Sequence, residues 1–125
     1  MKKHLNRVFL AVSCIFIAAL MVMFSSMVYV EKFQIKTIDT QISSDGKYKL
    51  LLQQKGEPVW SFGPVEAKII LMENGKIVDK QELTVYNDGT GLTTQNWFVE
   101  WSENSVTVVI DHFDKGENST LVFTL

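Results

Sequence analysis

The sequence predicts an all-β domain carried on one N-terminal transmembrane helix, the domain being a small antiparallel β-sandwich, immunoglobulin-like or C2-like in architecture. Two observations lead to this fold class. Residues 8–30 carry no charged side chain, and a helix of about 20 apolar residues is long enough to cross the hydrocarbon core of a bilayer. After residue 30, short stretches of alternating apolar and polar residues are separated by turn sequences, which is typical of a two-sheet β fold.

Three identities compete for the apolar segment that begins at Val8 and ends at Val30. As a retained anchor it would hold the mature chain in the lipid bilayer. A cleaved signal peptide has an apolar core of about 7–15 residues followed by a small-x-small site, whereas this segment is longer and lacks such a site. A lipoprotein signal would acylate Cys14, but it would have a very short apolar core, and Ala11 stands where leucine is usual. We adopt the anchor and leave the other two identities open.

Basic residues on the short N-terminal flank predict the orientation of this anchor. Lys2, Lys3 and Arg7 precede the apolar segment, and positively charged flanks stay in the cytoplasm. The chain then divides into a cytoplasmic basic head at residues 1–7, a transmembrane helix at 8–30, a juxtamembrane link with a first strand at 31–43, and an extracytoplasmic β-sandwich domain at 44–125. The expected location is the cell membrane, crossed once.

The composition of the part after residue 30 excludes several classes of protein. It holds all fourteen acidic residues and nine of the twelve basic ones, a net charge of −5. Because phosphate binding needs a basic face, nucleic acid is not an expected partner. The single cysteine, Cys14, lies in the apolar segment, so no disulfide within this part is available and an apolar core must stabilise the fold. No cofactor is expected.

The strands follow from alternation and from turn residues. Tyr48, Leu50 and Leu52 alternate with more polar positions, which predicts a strand with one buried face. Asn74-Gly75 is a strong signal for a hairpin with a type I′ turn. Further strands are predicted at residues 67–73, 76–86, 96–101, 106–111 and 121–125, with turns at 44–47, 87–91, 102–105 and 112–118 and one long loop at 55–65.

Two stretches carry a resemblance to known proteins. DGKYKL at residues 45–50 and QxGEPxWxFGP at residues 54–64, with YNDG at 86–89 and NW at 96–97, resemble a group of small membrane-anchored proteins of Gram-positive bacteria. The resemblance covers most of the domain. It implies a protein of the bacterial surface and brings no activity with it.

The residues needed for catalysis are scarce, and no catalytic residue is predicted. An enzyme needs a nucleophile, a general base or a metal. His4 lies on the cytoplasmic side of the anchor, which leaves His112 as the one imidazole outside. A Ser-His-Asp set can be written around His112, but no G-x-S-x-G frame supports it. The sequence therefore favours a protein that is not an enzyme.

One acidic turn is a weak candidate for a metal site. Asp111, Asp114 and Glu117 cluster before the last strand, and Asp88 lies in another turn. Their spacing matches neither an EF-hand nor an aspartate-rich calcium loop, so a solvated acidic turn is the favoured interpretation. His112 is expected to be an exposed turn residue there.

The long loop is the best candidate for a binding site. Residues 56–65 of it combine one charge, two aromatic side chains and both prolines of the chain, at Glu57, Pro58, Trp60, Phe62 and Pro64. Proline stiffens a loop, which lowers the ordering cost of binding, and aromatic anchors dominate protein interfaces. The favoured interpretation is nevertheless that Trp60 and Phe62 fold back as a plug for the core, with Pro58 and Pro64 setting the crossover between sheets.

Two functions of different class are therefore expected. The first is a binding or accessory module for another envelope protein. The second is a calcium- or lipid-responsive C2-like module that lies on its own membrane.

The orientation gives a first prediction. With the amino terminus in the cytoplasm, protease added to intact spheroplasts should remove a tag placed after Leu125, as detected by immunoblot. Protection of that tag until the cells are lysed would reverse the assignment.

Overall fold

The computed structural model of the chain describes residues 1–58, 62–113 and 116–125, apart from the side chains of residues 30–32. It begins with a long helix, α1, at Lys2–Lys32. Among the described residues this is the one helix long and apolar enough to cross a membrane, and none of its apolar span is buried within the protein. The helix ends where the amides of Phe33 and Gln34 both donate to the carbonyl of Tyr29.

In the described residues, seven strands follow the helix and form two antiparallel sheets. The first sheet has four strands in the order β1-β2-β3-β4 and the second has three in the order β5-β6-β7. Residues 86–96 connect the two sheets and end in a 3-10 turn at Thr94–Asn96. The strands are β1 Ile35–Ile42, β2 Tyr48–Lys55, β3 Val65–Glu73, β4 Lys76–Val85, β5 Trp97–Trp101, β6 Ser105–Asp111 and β7 Asn118–Thr124.

Every pair of neighbouring strands is consecutive in the chain. Each sheet is therefore a meander, whereas immunoglobulin sheets are linked by Greek-key connections. The difference has a local cause, because short turns follow most strands and favour pairing of each strand with the next. In the hairpin between β3 and β4, Asn74 and Gly75 have φ angles of 50° and 81°, as a type I′ turn requires.

The inner faces of both sheets contribute to one core. In β2 the alternation predicted from sequence is confirmed, since Leu50 and Leu52 are fully buried and Tyr48 packs partly against them. Trp97 is buried, and Val99 and Trp101 follow it on the same face of β5, as predicted. The other fully buried apolar side chains are Val65, Ala67, Ile69, Leu71, Val85, Val106, Val108, Ile110 and Phe123.

In the described parts of the chain no backbone ladder crosses from one sheet to the other, so side chains close the gap between them. On one side the indole N–H of Trp97 in β5 donates to Asp39 Oδ2 in β1 over 2.9 Å. On the other side the amide of Gln81 in β4 donates to the carbonyl of Val122 in β7 over 3.3 Å. These bonds join the outer strands of the two sheets at both sides of the core.

Replacing Trp97 tests this arrangement. Trp97→Ala removes a buried aromatic side chain and its bond to Asp39, so the free energy of unfolding should fall by about 3–5 kcal/mol. The measurement is urea unfolding of the full chain in detergent micelles, followed by far-ultraviolet circular dichroism. Phe98→Ala is the matched control, because Phe98 is the next residue and is 62% exposed. Its expected loss is below about 1 kcal/mol. Equal losses for the two variants would contradict the facing of β5.

Candidate functional site

The long loop between β2 and β3 begins beside the end of α1. The amide of Gly56 donates to the carbonyl of Gln34, two residues beyond the helix, over 2.7 Å. Gly56 is buried and has a φ of 72°, a conformation that glycine adopts at little cost. The loop therefore starts at the helix end of the two-sheet domain, and the strand directions place the hairpin turn at Asn74 at the opposite end.

Phe62 is the outstanding residue of this loop. Its side chain is 73% exposed and its φ is 68°. A bulky residue in the left-handed region is strained by roughly 1–2 kcal/mol, and such strain concentrates at ligand clamps and other functional positions. Phe62 is therefore not part of a plug for the core. Trp60, which was also predicted either to bind a partner or to plug the core, lies outside the described residues.

The other described loop residues fix the base of the loop. Glu57 Oε1 and Lys36 Nζ are 2.6 Å apart, joining the loop to β1. Both side chains are more than a third exposed, so the pair contributes at most about 1 kcal/mol and serves mainly to set position. Gly63 is buried, and Pro58 and Pro64 are half-buried on either side of the exposed Phe62.

A buried amide cluster of Gln54, Asn87 and Asn96 supports the same end of the domain. Gln54 is 2% exposed, and its side chain donates to the carbonyl of Gly56 over 2.7 Å and accepts the amide of Leu92 over 2.8 Å. One polar side chain thus joins the loop to the segment before β5. Gly91 packs against this amide, since a Cβ at Gly91 would lie 2.8 Å from Gln54 Oε1 and the Gln54 side chain would have to shift.

Asn96 occupies the centre of the amide cluster. It is fully buried, exchanges two hydrogen bonds with the side chain of Asn87, and donates to the carbonyl of Asp111 over 3.3 Å. Its Oδ1 also accepts the amide of Thr93 over 2.8 Å, which caps the 3-10 turn. The sequence analysis did not predict this cluster. One signal was present, because Gln54 follows Leu50 and Leu52 at a spacing of two residues and so lies on the same buried face of β2.

The expectation for His112 was wrong. His112 is only 6% exposed, with its ring 6.0 Å from that of Tyr86. Its Nδ1 accepts the backbone amide of Tyr86 over 3.2 Å, and its Nε2 lies 2.7 Å from Ser119 Oγ. These partners hold the imidazole between the segment after β4 and the start of β7. The sequence correctly predicts a turn at His112, between β6 and β7. It could not show that segments distant in the chain bury the ring.

The pairing of His112 with Ser119 resembles a nucleophile and its base, but the tautomer is unsuitable. Because Nδ1 accepts a hydrogen bond from an amide, the proton of neutral His112 must be on Nε2, which then donates to Ser119 Oγ. A general base for serine needs a free lone pair on the nitrogen that faces the hydroxyl. In this arrangement the imidazole cannot take the proton of Ser119.

The acidic turn gives no support for a metal site in the part of the chain that is described. There, no three His, Cys, Asp or Glu side chains come together as an ion would need. Asp111 is half-buried and Glu117 is exposed, while Asp114 lies outside the described residues. Glu117 instead shares the rim of a cavity of about 230 Å³ with His112 and Ser119.

Comparison of the chain with protein-family models, with curated proteins and with solved structures finds no match. The site therefore has to be interpreted from its own geometry. That geometry consists of an exposed, strained phenylalanine on a loop that is held by a buried amide cluster and adjoins the end of an apolar helix.

The amide cluster gives the third prediction. Asn96→Ala leaves the amide of Thr93 and the side chain of Asn87 without their central partner, so the free energy of unfolding should fall by about 3 kcal/mol. Gln95→Ala is the matched control, since Gln95 is the exposed neighbour, and its effect should stay within about 0.5 kcal/mol. Chemical unfolding of both variants in the same micelles checks this. A loss below about 1 kcal/mol for Asn96→Ala would show that the cluster stabilises little.

Proposed function

We propose that this chain is a single-pass membrane protein whose folded domain is an extracytoplasmic β-sandwich and acts as a binding or accessory module for another envelope protein. The observation that carries the proposal is Phe62, a large apolar side chain held 73% exposed at a φ of 68°. An apolar residue kept in such a conformation outside the core is suited to bury itself in a partner.

The position of the loop narrows the kind of partner. If α1 spans the bilayer with its amino terminus in the cytoplasm, the hydrogen bond from Gly56 to Gln34 keeps the start of the loop beside the point where the chain leaves the lipid. A partner that meets Phe62 must therefore reach the outer surface of the membrane. A second membrane-anchored protein meets that condition best.

The loop is also suited to binding by its stiffness. Pro58 and Pro64 restrict the backbone on both sides of Phe62, and the Glu57–Lys36 pair attaches the base of the loop to β1. The amide of Gln54 holds the carbonyl of Gly56 from inside the domain. Restricted backbone angles at the two prolines and a fixed loop base lower the conformational entropy that is lost on binding. We include Glu57, Pro58, Trp60, Phe62 and Pro64 in the proposed binding surface.

We propose a role without catalysis. The tautomer of His112 is the wrong one for activating Ser119. The described residues of the proposed binding surface, Glu57, Pro58, Phe62 and Pro64, include no histidine, cysteine or serine. A module that works by recognition needs none of these groups.

A second candidate, a module that lies on its own bilayer, is favoured by one observation. Phe33 and Phe113 are 55% and 56% exposed, and both lie at the end of the domain that carries the loop and the helix. Phe33 directly follows α1, and His112, next to Phe113, accepts the backbone amide that follows β4. Three exposed phenylalanines near the membrane surface could enter the lipid interface together.

Photo-crosslinking at Phe62 tests both candidates. We expect that a photoreactive phenylalanine analogue placed at residue 62 of the full chain, irradiated in its native membrane, yields one discrete adduct with another protein. Mass spectrometry of the adduct identifies the captured molecule.

The same analogue at Phe98 is the matched control. Phe98 is 62% exposed but lies on the outer face of β5, away from the loop, and should give no discrete adduct. Adducts with lipid alone at residue 62 would favour the bilayer module. Equal adduct patterns at residues 62 and 98, or none at 62, would refute the loop as a binding surface.

A further inference from the structure

The end of the domain opposite the helix carries a groove of its own. The groove has a volume of about 400 Å³, within the range of small-molecule sites. It lies where the core opens between the turn after β1 and the turn after β5. Its lining consists of two aromatic rings, two carboxylates, three serines and a leucine, namely Tyr48, Trp101, Asp45, Glu103, Ser43, Ser44, Ser102 and Leu125.

The aromatic rings come from different sheets. Tyr48 begins β2 and Trp101 ends β5, and both are half-buried against the edge of the core. The ammonium of Lys47 lies beside the Tyr48 side chain, so the phenol of Tyr48 is not free. The two rings therefore offer mainly their faces to a molecule in the groove.

The charged side chains among the described residues that line the groove are both acidic, Asp45 and Glu103. Lys47 interacts with Asp45 from outside this lining. The hydroxyl of Ser43 donates to Asp45 over 2.6 Å, and the backbone amide of Lys47 donates to the same oxygen over 3.0 Å. These bonds hold the pKa of Asp45 below its usual value, so this carboxylate keeps its charge at more acidic pH than an ordinary aspartate.

The protein already places an ammonium group on one of these rings. Lys47 Nζ lies 5.2 Å from the centroid of the Tyr48 ring, within the range of a cation–π contact. Lys47 is also 3.2 Å from Glu73, on the neighbouring strand, and does not line the groove. The Tyr48 ring is therefore suited to bind a cation on its groove side as well.

We propose that this groove is a binding site for an organic ammonium group, held between the rings of Tyr48 and Trp101 and neutralised by Asp45 and Glu103. Aromatic faces together with carboxylates are the combination that recognises such cations, whereas an anion would be repelled. The ammonium can belong to a quaternary amine or to a primary amine. The site is independent of the loop at the helix end and of the direction in which α1 crosses the membrane.

The test is a titration of the full chain in maltoside micelles, which contain no choline. The ligands are choline as a quaternary ammonium, ethanolamine as a primary one, and 3,3-dimethyl-1-butanol as the uncharged counterpart of choline. Binding is followed by isothermal titration calorimetry. At least one of the two amines should bind saturably, and the uncharged alcohol should bind at least about ten-fold more weakly. The stronger of the two amines identifies the source of the ammonium.

Two variants and a control connect the binding to the groove. Glu103→Gln removes one charge from an exposed turn and should weaken binding about five-fold or more. Trp101→Leu should weaken it similarly, with thermal unfolding measured alongside to check that the domain remains folded. Glu100→Gln is the matched control, since Glu100 is an exposed carboxylate one residue before Trp101 that does not line the groove, and it should bind within about two-fold of the unchanged chain.

Any one of three results would overturn the proposal. Neither amine binds saturably up to roughly 50 mM, the uncharged alcohol binds as tightly as the amines, or Glu103→Gln binds the amine as tightly as the unchanged chain. Because Glu103 lies in an exposed turn, Glu103→Gln should leave the domain folded. If Trp101→Leu unfolds the domain, the binding measured with Glu103→Gln still decides the test.

Discussion

The domain depends on side chains that join two sheets which share no strand. Within each sheet, backbone hydrogen bonds link consecutive strands, but none of these ladders crosses to the other sheet. The shared apolar core supplies attraction without direction. Specific orientation comes from the polar bridges between the sheets, Trp97 to Asp39 and Gln81 to Val122. The bond from Gln54 to Leu92 holds the connection between the sheets against β2. Because this part of the chain has no cysteine, the bridges and the core must provide the stability that a disulfide would add.

The buried amide cluster explains why the two ends of the domain differ. Buried polar groups are costly unless every one is hydrogen-bonded, and a fully bonded set rigidifies its surroundings. The described residues meet that condition, since no buried side-chain nitrogen or oxygen among them lacks a partner. Gln54 and Asn96 therefore make the helix end rigid, and Phe62 can be held strained and exposed there. At the opposite end the core opens into a groove.

This division gives the two ends different physical settings. The end with the loop adjoins α1, so apolar side chains there lie near the lipid if the helix crosses the membrane. The opposite end is separated from the helix by the length of the strands, and its groove is acidic and faces water. A chain of this size can thus present two surfaces of different chemistry, one beside its anchor and one away from it.

Much of the fold could be predicted from sequence, since it depends on local rules. The helix follows from a continuous apolar run, β2 from the alternation of Tyr48, Leu50 and Leu52, and the β3–β4 hairpin from Asn74-Gly75, whose two positive φ angles only a few residue types accept. The unusual composition of the loop between β2 and β3 also indicates a candidate site.

Only the tertiary structure decided the features that depend on residues distant in the chain. His112 looked exposed because it lies in a turn sequence, yet segments 26 residues earlier and 7 residues later bond to its ring and bury it. By sequence Gln54 is an ordinary polar strand residue, but in the structure its side chain accepts the amide of Leu92, 38 residues away. Local patterns set backbone geometry through sterics and periodicity, whereas burial and hydrogen-bond partners are properties of two segments at once. The sequence alone therefore determined the helix, most strands and the β3–β4 hairpin, while tertiary packing decided which polar side chains hold the two sheets together.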